Sequence, residues 1–188
     1  MSYTPPIRDQ LMPNIVYIAT SLDGFIADKN NNIDWLYDVP NPEGSDFGFA
    51  AFMDRVDALI MGRNTLDIVL SFGVDWPYSK PVFVLSNTLT KVPEGLDGKV
   101  FLVNGELPDI VQSLNQKGFE KLYIDGGKTI QSFLRHDLID ELIITTIPIL
   151  LGGGIPLFSE LSAPLKFKHL GCERLADHMV KNTFIRTR

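Results

Sequence analysis

Six short aliphatic runs, at 15–19, 58–61, 82–85, 100–103, 122–124 and 142–147, recur along this chain with helix-length spacers between them. Each is too short for a helix, and most are β-branched or aliphatic throughout, so each reads as a strand buried on both faces. The spacers carry the opposite period. Phe49, Phe52, Met53 and Val56 are spaced i, i+3, i+4, i+7, and so are Leu107, Ile110, Val111 and Leu114, which predicts helices. The second helix has Pro108 in its first turn and Gly118 just past its end, the usual asymmetry of helix punctuation. Strand–helix–strand units connect in a right-handed sense, so the expected fold is α/β, with a mostly parallel central sheet and helices on both faces. After Pro164 the runs 165–170 and 179–185 are separated by the polar stretch 173–177 with no helix between. They predict a C-terminal antiparallel hairpin, and therefore a mixed sheet.

The remaining composition narrows the function. The 188 residues suffice for one core. We expect one domain over 14–188, preceded by a flexible arm over 1–13. The net charge is −6, with no basic run able to neutralise several phosphates, so nucleic acid is not an expected partner. No segment approaches the roughly 20 apolar residues of a membrane span, and 1–13 lacks the apolar run of a signal peptide; the expected location is cytoplasmic. Cys172 is the only cysteine, which rules out an intrachain disulfide and a cysteine-based metal centre; we expect a buried, inert thiol and no metal. His136, His169 and His178 are scattered over different elements and are given no role.

Polar and glycine motifs recur where strands are predicted to end. They are Ser21-Leu22-Asp23-Gly24-Phe25-Ile26-Ala27, Met61-Gly62-Arg63-Asn64-Thr65, Ser86-Asn87, Tyr123-Ile124-Asp125-Gly126-Gly127-Lys128-Thr129, and Ile147-Pro148-Ile149-Leu150-Leu151-Gly152-Gly153-Gly154. Taken singly, most read at least as well as plain turn or helix-cap geometry; the three consecutive glycines are the exception, because they carry an entropy cost that a plain surface loop has no need of. Together they fall along one edge of an open sheet, where α/β proteins bind ligands. A helix start with a guanidinium and a hydroxyl suits a phosphate. Gly126-Gly127-Lys128-Thr129 is neither the spaced three-glycine dinucleotide fingerprint nor a phosphate loop.

In combination these motifs, with Ile139-Asp140-Glu141-Leu142, resemble the dihydrofolate-reductase-like superfamily, close to the reductase domain of bifunctional riboflavin-biosynthesis deaminase-reductases. The resemblance implies a three-layer fold and an NADPH-dependent reductase acting on a small pteridine- or pyrimidine-like heterocycle. It implies that Gly126, Gly127, Lys128 and Thr129 hold the cofactor pyrophosphate and that Gly62, Arg63, Asn64 and Thr65 hold the adenosine phosphates. Arg63 and Ser86, with Asn87 beside them, would favour NADPH over NADH. Ala19, Ile26 and Ile149 would flank the nicotinamide, with Asp23, Gly24 and Asp125 also on the cofactor side. Trp35 and Phe49 are candidate substrate contacts, with Tyr37, Trp76 and Tyr78 on the loops that cover the pocket. Asp46 is the candidate catalytic carboxylate, the other reading being a helix cap. The zinc residues of the deaminase half are absent, and Leu66-Asp67-Ile68-Val69 stands where riboflavin-pathway reductases carry an acidic pair. A homodimer is implied as well. The alternative is a nucleotide-binding sensor that keeps the fold without efficient catalysis.

Overall fold

Backbone pairing lays the aliphatic runs side by side. The structure, a computed structural model, describes residues 12–176 and 178–188. Its elements are β1 (Asn14–Ser21), β2 (Phe25–Ala27), a 3-10 turn (Asp34–Leu36), α1 (Phe49–Arg55), β3 (Ala58–Gly62), α2 (Arg63–Ser71), β4 (Val82–Leu85), β5 (Val100–Val103), α3 (Leu107–Gln116), β6 (Leu122–Asp125), α4 (Gly127–Arg135), β7 (Glu141–Ile147), β8 (Ile155–Pro156), β9 (Phe167–Leu175) and β10 (Met179–Arg186). Among the described residues, eight strands form one sheet in the order β5-β4-β3-β6-β1-β7-β10-β9. The first six run parallel, and β10 and β9 are antiparallel.

Strand residues alternate strictly between two cores. Val16, Ala58, Ile60, Leu122 and Ile124 face α3 and α4, packing on Ile110, Leu114, Ile130 and Phe133. Ile15, Leu59, Met61 and Tyr123 face the other way, against Phe52 and Met53 of α1 and Leu66 of α2. Because both faces are covered, the strands read as continuous apolar runs. Buried Glu141 receives two hydrogen bonds from Arg55, at 2.8 and 3.1 Å, which tie the end of α1 to the start of β7.

The structure corrects two expectations and adds one pair of strands. Residues 173–175 continue β9 where a turn was expected over 173–177; Asp177 lies outside the described residues. Glu173 is register partner to Lys181 and forms a 2.8 Å ion pair with it, so its polarity serves the exposed face of an edge strand. Cys172 is exposed on that strand rather than buried. The arm expected over 1–13 falls outside the described residues except for Met12 and Pro13, and Pro13 already accepts a sheet hydrogen bond from Leu122 N–H at 3.0 Å. The two-stranded pair β2–β8 was not foreseen; at three and two residues its strands are too short to show a period.

That small pair explains Gly154. Its φ is +155°, and a Cβ there would collide with the Ala27 carbonyl oxygen. Gly152, at φ +67°, faces open space. Gly154→Ala is therefore expected to lose at least ~2 kcal/mol in a urea melt, and Gly152→Ala about 1 kcal/mol, the ordinary cost of a left-handed alanine.

Candidate functional site

Since β5, β4, β3, β6, β1 and β7 are parallel, their C-terminal ends share one edge, and every glycine and polar motif leaves the sheet there. The sheet gives that edge two unlike sides. On the α3/α4 face lies a cleft of about 370 Å³ lined by Gly62, Ser86, Asn87, Asn104, Lys128 and Thr129, among others. The N-terminus of α4 opens beside it, where unpaired N–H groups and the helix dipole favour an anion. Ser86 Oγ accepts from the N–H groups of Thr88 and Leu89, at 3.2 and 2.9 Å, which leaves its proton free to donate.

The sequence motifs interlock here. Gly126, at φ +89°, has Thr65 Oγ1 where a Cβ would stand, and a Cβ on Gly62 would lie 3.0 Å from Thr129 Oγ1. Thr65 and the paired glycines thus fit one loop into the other, so the glycines are required by the protein itself. Arg63 is not part of the cleft lining. It lies half-exposed near the rim, 3.2 Å from Thr88 Oγ1 and 3.4 Å from Asp67. Asn64 is exposed on the first turn of α2.

Sequence reasoning missed Asn104, Gly105, Glu106, Ser132 and His136, which also line the cleft. The signal was present, because Val103-Asn104-Gly105 is another strand end running into glycine and a helix. His136 gains a place that its sequence position did not suggest. Its Nδ1 lies 2.9 Å from the Ser132 carbonyl, which can only accept, so Nδ1 is the donor in this contact.

On the opposite face the packing is aromatic. Tyr17 stacks on Phe52 at 4.4 Å and lies 6.0 Å from Phe49, Phe52 meets Tyr123 edge-on at 5.0 Å, and Trp76 and Tyr78 form a T-shaped pair. Asp125 shares this face, two residues along β6 from Tyr123. Burial pushes its carboxyl up to about 6, partly opposed by the Gly126 N–H. The Tyr123 hydroxyl donates to the Tyr17 carbonyl at 3.0 Å, and its contact with Asp125 lowers that carboxyl against the effect of burial. Tyr78 is raised by burial and then by Asp125.

Next to these rings, Ala19 and Ile149 pack around Trp35 with Ile147, Leu175 and Met179. Ile26 is separated from them; it packs with the other core, and its Cδ1 would lie 2.6 Å from a Cβ on Gly127. Trp35 is 7% exposed, and its Nε1 has no hydrogen-bond partner. A buried donor left unpaired costs roughly 1–3 kcal/mol, which a ligand oxygen would recover. Tyr37 is 70% exposed and covers nothing. Asp46 precedes α1 and accepts from the N–H groups of Gly48 and Ala50, at 2.9 and 2.8 Å. The Ala50 and Gly48 bonds hold it below the usual carboxylate range, so it is a helix cap kept in its charged form. Asp23 and Gly24 form the turn after β1, and Asp23 is bonded to the glycine-rich loop.

A mixed sheet of this order, with paired helices on each face and ligand motifs along one edge, defines a dihydrofolate-reductase-like protein. The backbone matches Enterococcus faecalis dihydrofolate reductase, whose structure was solved with NADP(H), at a TM-score of 0.66 and 14% identity, over 95% of this chain and 98% of that one. Residues 14–181 match the RibD C-terminal domain, and the chain belongs to this family of riboflavin-pathway reductase domains. A putative riboflavin biosynthesis protein from Shewanella sp. PV-4 is 63% identical, with a TM-score of 0.92 over 94% of this chain and all of that one. The uncharacterized protein YwjB of Bacillus subtilis is 37% identical over 85% of this chain and 90% of its own length.

Asp125 has a consequence for stability. Its folded pKa of about 6 lies above its unfolded value, so the native state holds this proton more tightly, and the associated stability is lost as pH rises through about 6. Asp125→Asn, which stays neutral, should melt at least ~2 °C above the wild type at pH 8. The gap should close near pH 4. A wild type that melts higher than the variant at pH 8 would refute the burial argument.

Proposed function

We propose that the protein is an NADPH-dependent reductase that delivers hydride to a small planar heterocycle of the pyrimidine or pteridine type. The observation that carries this reading is the pairing of two unlike features across one sheet edge. One is a polar cleft with a lysine and a helix N-terminus; the other is a packed cluster of aromatic rings beside a carboxyl whose pKa is raised to about 6. Membership of the RibD C-terminal domain family supports it.

The cofactor would supply the hydride. Lys128, Ser86, Asn87 and the first N–H groups of α4 would hold its phosphates, with Arg63 reaching in from the rim. Ala19, Ile149 and Trp35 would exclude water from the reacting ring, and excluding water also strengthens polar contacts. The Trp35 N–H would hydrogen-bond an acceptor oxygen, and the half-buried rings of Tyr17 and Phe49 would take the acceptor ring by stacking. Asp125 replaces Asp46 as the proton-holding group, because burial lets it keep a proton up to about pH 6, where Asp46 is already charged. The protein would act in the cytoplasm as a homodimer, with Leu170 and Val180 on the outer strands as its apolar contacts; they are 56% and 38% exposed.

Titration with NADPH and NADH, followed by tryptophan fluorescence, tests the reading. NADPH should bind more tightly than NADH. Lys128→Ala should weaken NADPH by about tenfold, the worth of one charge-assisted contact, and Arg63→Ala should reduce the preference over NADH. Failure of the wild type to bind either nucleotide would remove the basis for the assignment. In a working enzyme, Asp125→Asn should lower kcat by roughly 10²-fold, while Asp46→Asn changes it by less than about threefold.

A further inference from the structure

The loops leaving β1 and β7 cross at the ligand edge, and one side chain ties them together. Asp23 Oδ1 accepts from Ser21 Oγ at 2.6 Å and from Leu151 N–H at 3.2 Å, and Oδ2 accepts from Gly152 N–H at 2.8 Å. Beside this grip, Leu22 N–H donates to the Ile149 carbonyl at 2.8 Å, and further on Leu157 N–H donates to Gly24 at 3.0 Å. Of the held segment, Leu150 is 68% exposed and Gly152 has no side chain, so only Leu151 adds apolar packing, against the Trp35 cluster. Its position therefore rests on the carboxylate together with that one side chain. Immediately before it stands Ile149, packed with Ala19 and Trp35. Asp23 does not line the phosphate-side cleft, and an anion there would repel phosphate.

We propose that Asp23 is a positioning residue: by gripping the Leu151 and Gly152 amides it fixes Ile149 against Ala19, and with it the apolar wall against which the reacting ring lies. This rests on the reductase reading given above. The carboxylate touches neither cofactor phosphates nor acceptor in this role; it acts through backbone. The Ser21 hydroxyl, followed by the Gly152 and Leu151 amides, holds its carboxyl below the usual range, as expected of a carboxylate whose charged form is bonded from several sides.

Asp23→Asn keeps the shape but turns one acceptor into a donor facing another donor. Hydrogen exchange of the Leu151 and Gly152 amides, read by NMR in the protein without nucleotide, should accelerate at least ~10-fold, with Tm within about 3 °C of the wild type. In the working enzyme kcat should fall about tenfold or more, the usual result of small misplacement of a reacting group. KM for NADPH should stay within about twofold, because the cleft holding its phosphates is untouched. The kinetic isotope effect with deuterated NADPH should rise. Asp23→Glu, which retains two carboxylate acceptors, should recover most of the amide protection and serves if the Asn variant folds poorly. Unchanged exchange at both amides would overturn the proposal, as would a raised KM for NADPH with kcat intact. Should the wild type bind no NADPH, the reductase reading fails on its own. Should it bind and turn over NADPH while Asp23→Asn matches it in kcat, the positioning role alone fails.

Discussion

Parallel pairing of six strands is the constraint from which the rest of this structure follows. A parallel strand cannot return by a tight turn, so each connection crosses a face of the sheet, and helices bury both faces. Every strand then ends at the same edge. Residues far apart in sequence, such as Gly62, Ser86, Asn104 and Lys128, are thereby gathered around one cleft without any direct contact having to specify their meeting. The two antiparallel strands at one side extend the sheet and add Leu175 and Met179 to the packing around Trp35.

The fold was legible because its signal is repeated. Each aliphatic run matches a strand to within a residue or two, and Pro108 and Gly118 bracket α3 as expected. Legibility fell where one residue's role depends on what lies across the sheet. Nothing near Asp125 in sequence shows that Tyr17 claims the Tyr123 proton, or that Tyr78 comes close enough to feel its charge. The same blindness made Cys172 look buried. An apolar alternation cannot tell an edge strand from a central one, and β9 is an edge with most of its residues exposed. Asp46 is a different case, since a carboxylate before a helix has a local use as a cap, and its bonds to Gly48 and Ala50 need no ligand to explain them.

The glycine motifs carry a lesson of another kind. In sequence they look like openings for a ligand. In the structure Gly126 yields its side-chain space to Thr65, and Gly154 yields its space to the Ala27 carbonyl. They let loops approach one another, and the C-terminal edge of the sheet is built from loops packed on loops. This is how a rigid rim can be made from segments that have no secondary structure of their own, with Asp23 and the short β2–β8 pair as cross-ties.

Strand β1 lies near the centre of the sheet, paired on one side with β6 and on the other with β7. Asn14 meets Leu122, and Ile15 meets Glu141, so both partners of this early strand are made about a hundred residues later. During synthesis β1 waits as an apolar strand with two open edges. Long-range pairing of this kind folds slowly and exposes edges to other chains meanwhile. The arrangement that gathers the ligand edge so economically in the finished protein thus leaves the nascent chain reliant on late segments, and makes the interval before β6 and β7 emerge its period of greatest exposure to aggregation.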